Sequence, residues 1–357
     1  MRNNLTHFLG ISCIILAFIL HPKMNGGMRL TKDIMFCMLI GMSVFSFGLK
    51  QNIIALILGC YSFLFIDVYA AHALHQVVMV SFGLLLFSQV YSHGINRDIF
   101  EKYLLWIGLA QAAWFIAHYF GIDPKDYISR ILGPHGPDYV LQNHQWIEKS
   151  LVKQPIVGSL HQHTISGVYM IFSIPMAIKN KWPFLLLIPG IYLSNSTMVQ
   201  ISCLICALSY FVKNTKLLIA PITMMISLFL VNLKYNFAEW FSGQGRLVVW
   251  KWCIGEFKWI GNGLGYLSNH FPVTMNEGFA QIHNEYLEFI YAYGLILIPI
   301  LIYIILKIIK SEHSLLKCSL IGLMVNCMGN FPFHISGLAM VGLILLAEVM
   351  RNDRSIL

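Results

Sequence analysis

The sequence predicts an all-α, polytopic integral membrane protein with about 12 transmembrane helices and two long outer loops. Composition is the first observation. Of 357 residues, 57% are hydrophobic and 11% charged, with a mean hydropathy of +0.67, whereas soluble domains carry roughly 25% charged residues. The second observation is recurrence: a membrane span needs roughly 17–25 apolar residues, and apolar runs lie near 5–20, 30–47, 52–69, 74–91, 101–120, 164–179, 182–195, 197–212, 216–233, 284–306, 314–329 and 334–350. The third is the placement of the remaining polar residues in two long segments, 121–163 and 234–283.

The first run follows Met1-Arg2-Asn3-Asn4 and imitates a signal peptide, but His21 to Gly27 offers no small-residue cleavage site, so it reads as an uncleaved first span. Runs seven and eight are separated only by Ser194 to Thr197, the weakest division in the series. With both ends inside, the short inner segments collect Arg2, Lys50, Arg97, Lys102, Lys179, Lys181, Lys213, Lys216, Lys307, Lys310, Lys317, Arg351 and Arg354, while the short outer loops hold only Lys23, Arg29 and Lys32. That asymmetry follows the positive-inside rule. Loops longer than about 12–15 residues are usually functional or disordered. Trp146, Trp240, Trp250, Trp252 and Trp259 in the two outer loops favour ordered structure with short amphipathic helices at the interface. No internal repeat interrupts residues 1–357, so one integral membrane domain is expected.

The formal charge of +8 is spread in ones and twos between apolar runs rather than gathered on one segment, which argues against nucleic acid as a partner. Seven of the eight cysteines fall inside apolar runs, Cys253 being the exception, and no disulfide framework is implied. Cys203 and Cys206 have CxxC spacing but sit mid-run as small packing residues. His135, His144, His161 and His163 lack regular ligand spacing and neighbouring carboxylates, so no metal is expected, and substrate hydrogen bonding by His161 or His163 is the better reading.

Four local patterns lie close to run boundaries. They are Val157-Gly-Ser-Leu-His161-Gln-His163-Thr-Ile-Ser-Gly-Val-Tyr169; Gly245-Arg246-Leu-Val-Val-Trp250; Gly261-Asn262-Gly263-Leu264-Gly265; and His283-Asn284-Glu-Tyr-Leu287 followed by Gly294. Their order and placement resemble the O-antigen ligase and O-antigen polymerase superfamily of bacterial envelope glycan assembly, over roughly residues 155–350. The resemblance implies a metal-independent, inverting glycosyltransferase without a cofactor, in the bacterial inner membrane with its site facing the periplasm. Its donor would be a glycan on undecaprenyl diphosphate. Its acceptor would be a sugar hydroxyl of lipid A-core, for a ligase, or of a growing glycan, for a polymerase, with membrane lipids around it.

Within that resemblance His283 and Arg246 are the catalytic candidates. An imidazole titrating near pH 6.5 can accept a proton from a sugar hydroxyl, and a guanidinium holds two diphosphate oxygens while charge develops on the leaving group. The bland readings are a histidine capping a helix beside Asn284 and an arginine snorkelling to lipid phosphates. Gly263 and Gly265 bring backbone close to the diphosphate or sugar, or simply shape a loop; no strand precedes them, so a dinucleotide fingerprint is excluded. Asn284, His161, His163 and Lys251 complete the substrate-binding candidates. The segment Ser194 to Gln200 lacks the arginine the superfamily often carries there, and Lys153, Lys251 and Lys258 are substitutes for it. The alternative class, a lipid-linked oligosaccharide flippase or other polysaccharide transporter, would place charges inside several runs; Asp67 and Glu348, both near run ends, are the only carboxylates read as approaching run interiors.

Overall fold

The computed structural model describes residues 2–18, 37, 71–122, 139–142, 145–148, 163–212, 244–263, 282–330 and 332–351. In chain order these form helices α1 (Arg2–Phe18), α2 (Ala71–His93) and α3 (Arg97–Tyr119), then strands β1 (Tyr139–Gln142) and β2 (Gln145–Glu148). They continue with α4 (His163–Ser166), α5 (Val168–Asn180), α6 (Phe184–Leu193), α7 (Thr197–Phe211) and α8 (Gln244–Gly255). The last third holds α9 (Glu285–Tyr293), α10 (Leu297–Lys310), α11 (Leu315–Asn326), a 3-10 turn at Pro332–His334 and α12 (Ser336–Arg351).

Helix starts follow the capping residues. Asn96 accepts the Ile99 N–H at 3.2 Å and opens α3; Ser196 opens α7 through the Val199 N–H; Ser314 opens α11 through the Lys317 N–H. Each side-chain oxygen satisfies one of the orphan donors of a first helical turn. At the end of α10, buried Lys317 reverses the arrangement and donates from Nζ to the Ile309 and Ser311 carbonyls at 3.1 and 2.6 Å.

The core is a helix bundle centred on α5, which packs against α3, α6, α7 and α11. Every residue from Val168 to Ala177 is buried, so α5 is apolar all round, as a central helix must be. Ser319 Oγ of α11 donates to the Phe172 carbonyl of α5 at 2.8 Å, keeping one hydroxyl satisfied in that interior. Helix α12 closes the bundle against α2, α11 and α1. Its Glu348, fully buried, accepts Arg97 Nε at 3.0 Å and Arg351 Nη2 at 3.1 Å, and its Oε2 faces the Ile95 N–H. A buried carboxylate with two guanidinium partners is a structural anchor for the α2–α3 corner.

The expected twelve-span membrane architecture is overturned. Among the described residues no helix is long and apolar enough to cross a membrane. The physical reason is interruption. The 284–306 run folds as two helices of 9 and 14 residues parted at Gly294, and at 1.5 Å per residue the longer reaches about 21 Å against a hydrocarbon core of about 30 Å. The 182–195 and 197–212 runs are separate helices of 10 and 15 residues. Helix α3 has 23 residues but opens with Arg97, Asp98, Glu101 and Lys102, and the sequence of α2 carries His72, His75 and Gln76 near its start. The runs near 30–47 and 52–69, apart from Cys37, and the run at 216–233 lie outside the described residues. Helical character itself holds, with one departure: β1 and β2 pair antiparallel in the first long loop, in the register Tyr139 to Glu148 through Gln142 to Gln145.

Candidate functional site

Three of the four singled-out patterns come together at one end of the bundle. Helix α8 contains the Gly245-Arg246 to Trp250 pattern and packs on α9, which follows His283-Asn284. Val249, Trp250, Cys253, Ile282 and Tyr291 form a small apolar cluster of their own, apart from the main core. The indole Nε1 of Trp250 donates to the Ile282 carbonyl at 2.6 Å, which ties α8 to the residue immediately before His283.

The glycine turn is stitched to the same place. Asn262 N–H donates to the Tyr291 carbonyl at 2.9 Å, Gly263 N–H to the Ala292 carbonyl at 3.0 Å, and Leu295 N–H to the Lys258 carbonyl at 3.0 Å. Gly261 and Gly294 face each other across this seam, with φ of +90 and +91. A Cβ on Gly261 would strike the Ala292 carbonyl, and one on Gly294 would strike the Trp259 carbonyl. Both the backbone angle and the close approach therefore require glycine.

His283 is half-buried with φ +56. The left-handed region is uncommon for a residue with a Cβ, though histidine is enriched there, and such positions cluster at functional sites. Asn284 is buried and caps α9: its Oδ1 accepts the Leu287 N–H at 3.1 Å, and its Nδ2 donates to the Met328 carbonyl at 3.0 Å. Glu285 N–H donates to the Cys327 carbonyl and Tyr286 Oη to the Met324 carbonyl. The first turn of α9 is thus docked on the last carbonyls of α11, and the Asn284 amide is engaged in the fold.

The other candidates are placed as follows. Arg246 belongs to the first turn of α8, its side chain outside the described atoms, and Lys251 is exposed on the same helix. His163 opens α4, again with its side chain undescribed, whereas His161 and Gly265 lie outside the described residues.

Sequence reasoning missed the group that carries the most electrostatic tension. Glu285 and Glu288, in the first turn of α9, converge on His334 of the 3-10 turn. His334 Nε2 lies 3.0 Å from Glu288 Oε1 and 3.6 Å from Glu285 Oε2, while Glu285 Oε1 accepts the Phe333 N–H at 2.6 Å. Glu285 is 1% exposed. Burial pushes its carboxyl up to about 7; the neighbouring His334 and the Phe333 and His334 N–H groups oppose the shift, and Glu288 reinforces it. Two carboxylates and one imidazole cannot all carry charge cheaply in that interior, so the cluster is built to retain a proton. The one available signal was the i, i+3 spacing of the two glutamates; nothing in the sequence points to a histidine 46 positions further on.

Comparison with protein-family models and with curated proteins gives no match.

Proposed function

We propose that the chain is a metal-independent glycosyltransferase that moves a glycan from an undecaprenyl-diphosphate donor to a sugar hydroxyl, with His283 as the proton acceptor and Arg246 as the diphosphate-binding cation. The observation that supports this reading best is the gathering of the Trp250, Gly261 and His283 patterns at one end of the bundle, held by the Trp250–Ile282 hydrogen bond. In the transfer, the acceptor oxygen attacks the anomeric carbon as His283 takes its proton. The bond from that carbon to the diphosphate oxygen breaks with its electron pair, and Arg246 stabilises the departing charge.

Action at the outer face of the bacterial inner membrane belongs to the same proposal, with lipid A-core or a growing glycan as acceptor. Leu185, Ile188, Tyr192, Leu204 and Phe211 are exposed on α6 and α7, and α10 exposes Ile300, Ile302 and Tyr303 ahead of Lys307 and Lys310. Exposed apolar faces rimmed by basic residues favour contact with lipid and its phosphates.

The test is turnover of a synthetic undecaprenyl-diphosphate glycan with a sugar acceptor by the purified full chain, read as release of undecaprenyl diphosphate. Arg246→Lys keeps the charge and loses the bidentate fork, so it is expected to lower the rate by about 10²–10³, close to the loss in Arg246→Ala. A fully active lysine variant removes Arg246 from the site, and no turnover by the unaltered protein removes the function.

A further inference from the structure

The geometry points to His334 as a positioning residue for His283: with Glu285 and Glu288 it clamps the first turn of α9 through a retained proton, and so holds the left-handed backbone of His283 in place. The inference rests on the proposed transfer reaction for its consequence and on the structure alone for the clamp.

Two sets of contacts hold this turn. One set cannot titrate: Asn284 Nδ2 to the Met328 carbonyl, and Glu285 N–H to the Cys327 carbonyl, both at 3.0 Å. The other can: His334 Nε2 to Glu288 Oε1 at 3.0 Å and to Glu285 Oε2 at 3.6 Å. His283 sits directly before the Asn284 cap, where its φ of +56 is an unfavourable angle that persists only while neighbouring contacts enforce it. Loss of the titratable set leaves the turn on its neutral bonds, and His283 then relaxes toward ordinary backbone angles.

The surroundings leave the cluster to titrate on its own. From α11 it meets the buried Cys327 thiol, and from α8 the buried Cys253 thiol; burial raises both well above the usual thiol range, so both stay neutral. Tyr286, beside Glu285 in sequence, is committed to the Met324 carbonyl. No other charged group is seen facing the cluster among the described residues packed against it. Glu285, pushed up by burial, keeps its proton on the acid side of neutrality and loses it above. In the ionised state two carboxylates share one imidazole, and the clamp weakens.

Glu285→Gln mimics the protonated carboxyl and keeps an oxygen for the Phe333 N–H. Hydrogen-exchange protection factors for the 282–293 segment, measured on the full chain at pH 6 and pH 8.5, are expected to drop severalfold at the higher pH in the unaltered protein. They should be independent of pH in Glu285→Gln, and low at both pH values in His334→Gln. In the transfer assay, His334→Gln should lower kcat about tenfold or more with little change in KM, and Glu285→Gln should lose the alkaline fall of the pH–rate profile. The same pH dependence of protection in the unaltered protein and Glu285→Gln overturns the clamp. A clamp seen by exchange with an unaltered kcat in His334→Gln overturns its link to His283. Exchange behaving as stated in a protein that shows no transfer upholds the clamp and sinks the proposed reaction.

Discussion

Trp250 Nε1 donates to the carbonyl of Ile282 at 2.6 Å, and both side chains are buried in the same apolar cluster. This bond links the arginine-bearing helix α8 to the chain just ahead of His283, although 32 positions separate the two residues. Trp250→Phe keeps a large ring and leaves the Ile282 carbonyl without its donor. The expected cost is about 1–3 kcal/mol of stability, the penalty for an orphaned buried acceptor, with a lower transfer rate because the entry to α9 is loosened. Equal melting temperatures and equal rates for the two proteins would show that the bond does not position the site.

Gly261 and Gly294 carry the second expectation. Alanine at either position meets a backbone carbonyl at close range and an angle that L residues rarely adopt, so each change should cost more than about 1 kcal/mol. Gly255 at the end of α8 is the control: no atom lies near its would-be Cβ and its φ is ordinary, so Gly255→Ala should be neutral or slightly stabilising. Denaturant midpoints of the three variants decide. A Gly294→Ala protein as stable as Gly255→Ala would mean that the seam between the turn and α9 is not tightly packed.

The sequence makes the helical character and the location of this cluster legible, for physical reasons that are easy to name. Asn284 before an apolar helix reads as a cap and is one; Ser194 to Ser196 reads as a break and parts two helices. Apolar content misled where it was taken for continuity. Gly294 interrupts the 284–306 run, because hydropathy records side-chain character and is blind to a carbonyl from Trp259 pressing on a backbone position. The β1–β2 pair escaped because four-residue strands are too short for alternation to declare them. Glu285 looked like an ordinary acidic residue in a first helical turn. Its burial depends on a 3-10 turn at Pro332–His334 that no local pattern joins to α9.

Glu285 also fixes the sign of a pH effect on stability. Its folded-state pKa of about 7 lies above the ordinary 4.5, so between these values the folded protein holds a proton that the unfolded chain has released. Stability from this group therefore falls as pH rises from about 4.5 to about 7 and levels off above. Comparing unfolding free energies of the unaltered protein and Glu285→Gln at pH 5, 6, 7 and 8 isolates the term. The difference should shift in favour of the glutamine variant as pH increases; a difference independent of pH would place the Glu285 titration elsewhere.

His283 offers the sharpest separation of chemistry from architecture, because its backbone and its side chain make different demands. At φ +56 a Cβ is unfavourable, so His283→Gly removes the imidazole and relieves the backbone, whereas His283→Ala removes the imidazole and keeps the strain. Both variants lose the same side-chain contacts. The glycine variant should therefore be the more stable of the two by about 1 kcal/mol, the usual cost of a left-handed angle for an L residue. If the imidazole takes the acceptor's proton, both should lose transfer equally, by about 10²–10⁴. If His283 only shapes the entry to α9, rate will follow stability instead, and the glycine variant will outperform alanine. Measuring melting temperature and transfer rate on the same two preparations distinguishes these outcomes, and a glycine variant with near-normal turnover would withdraw His283 from the catalytic role.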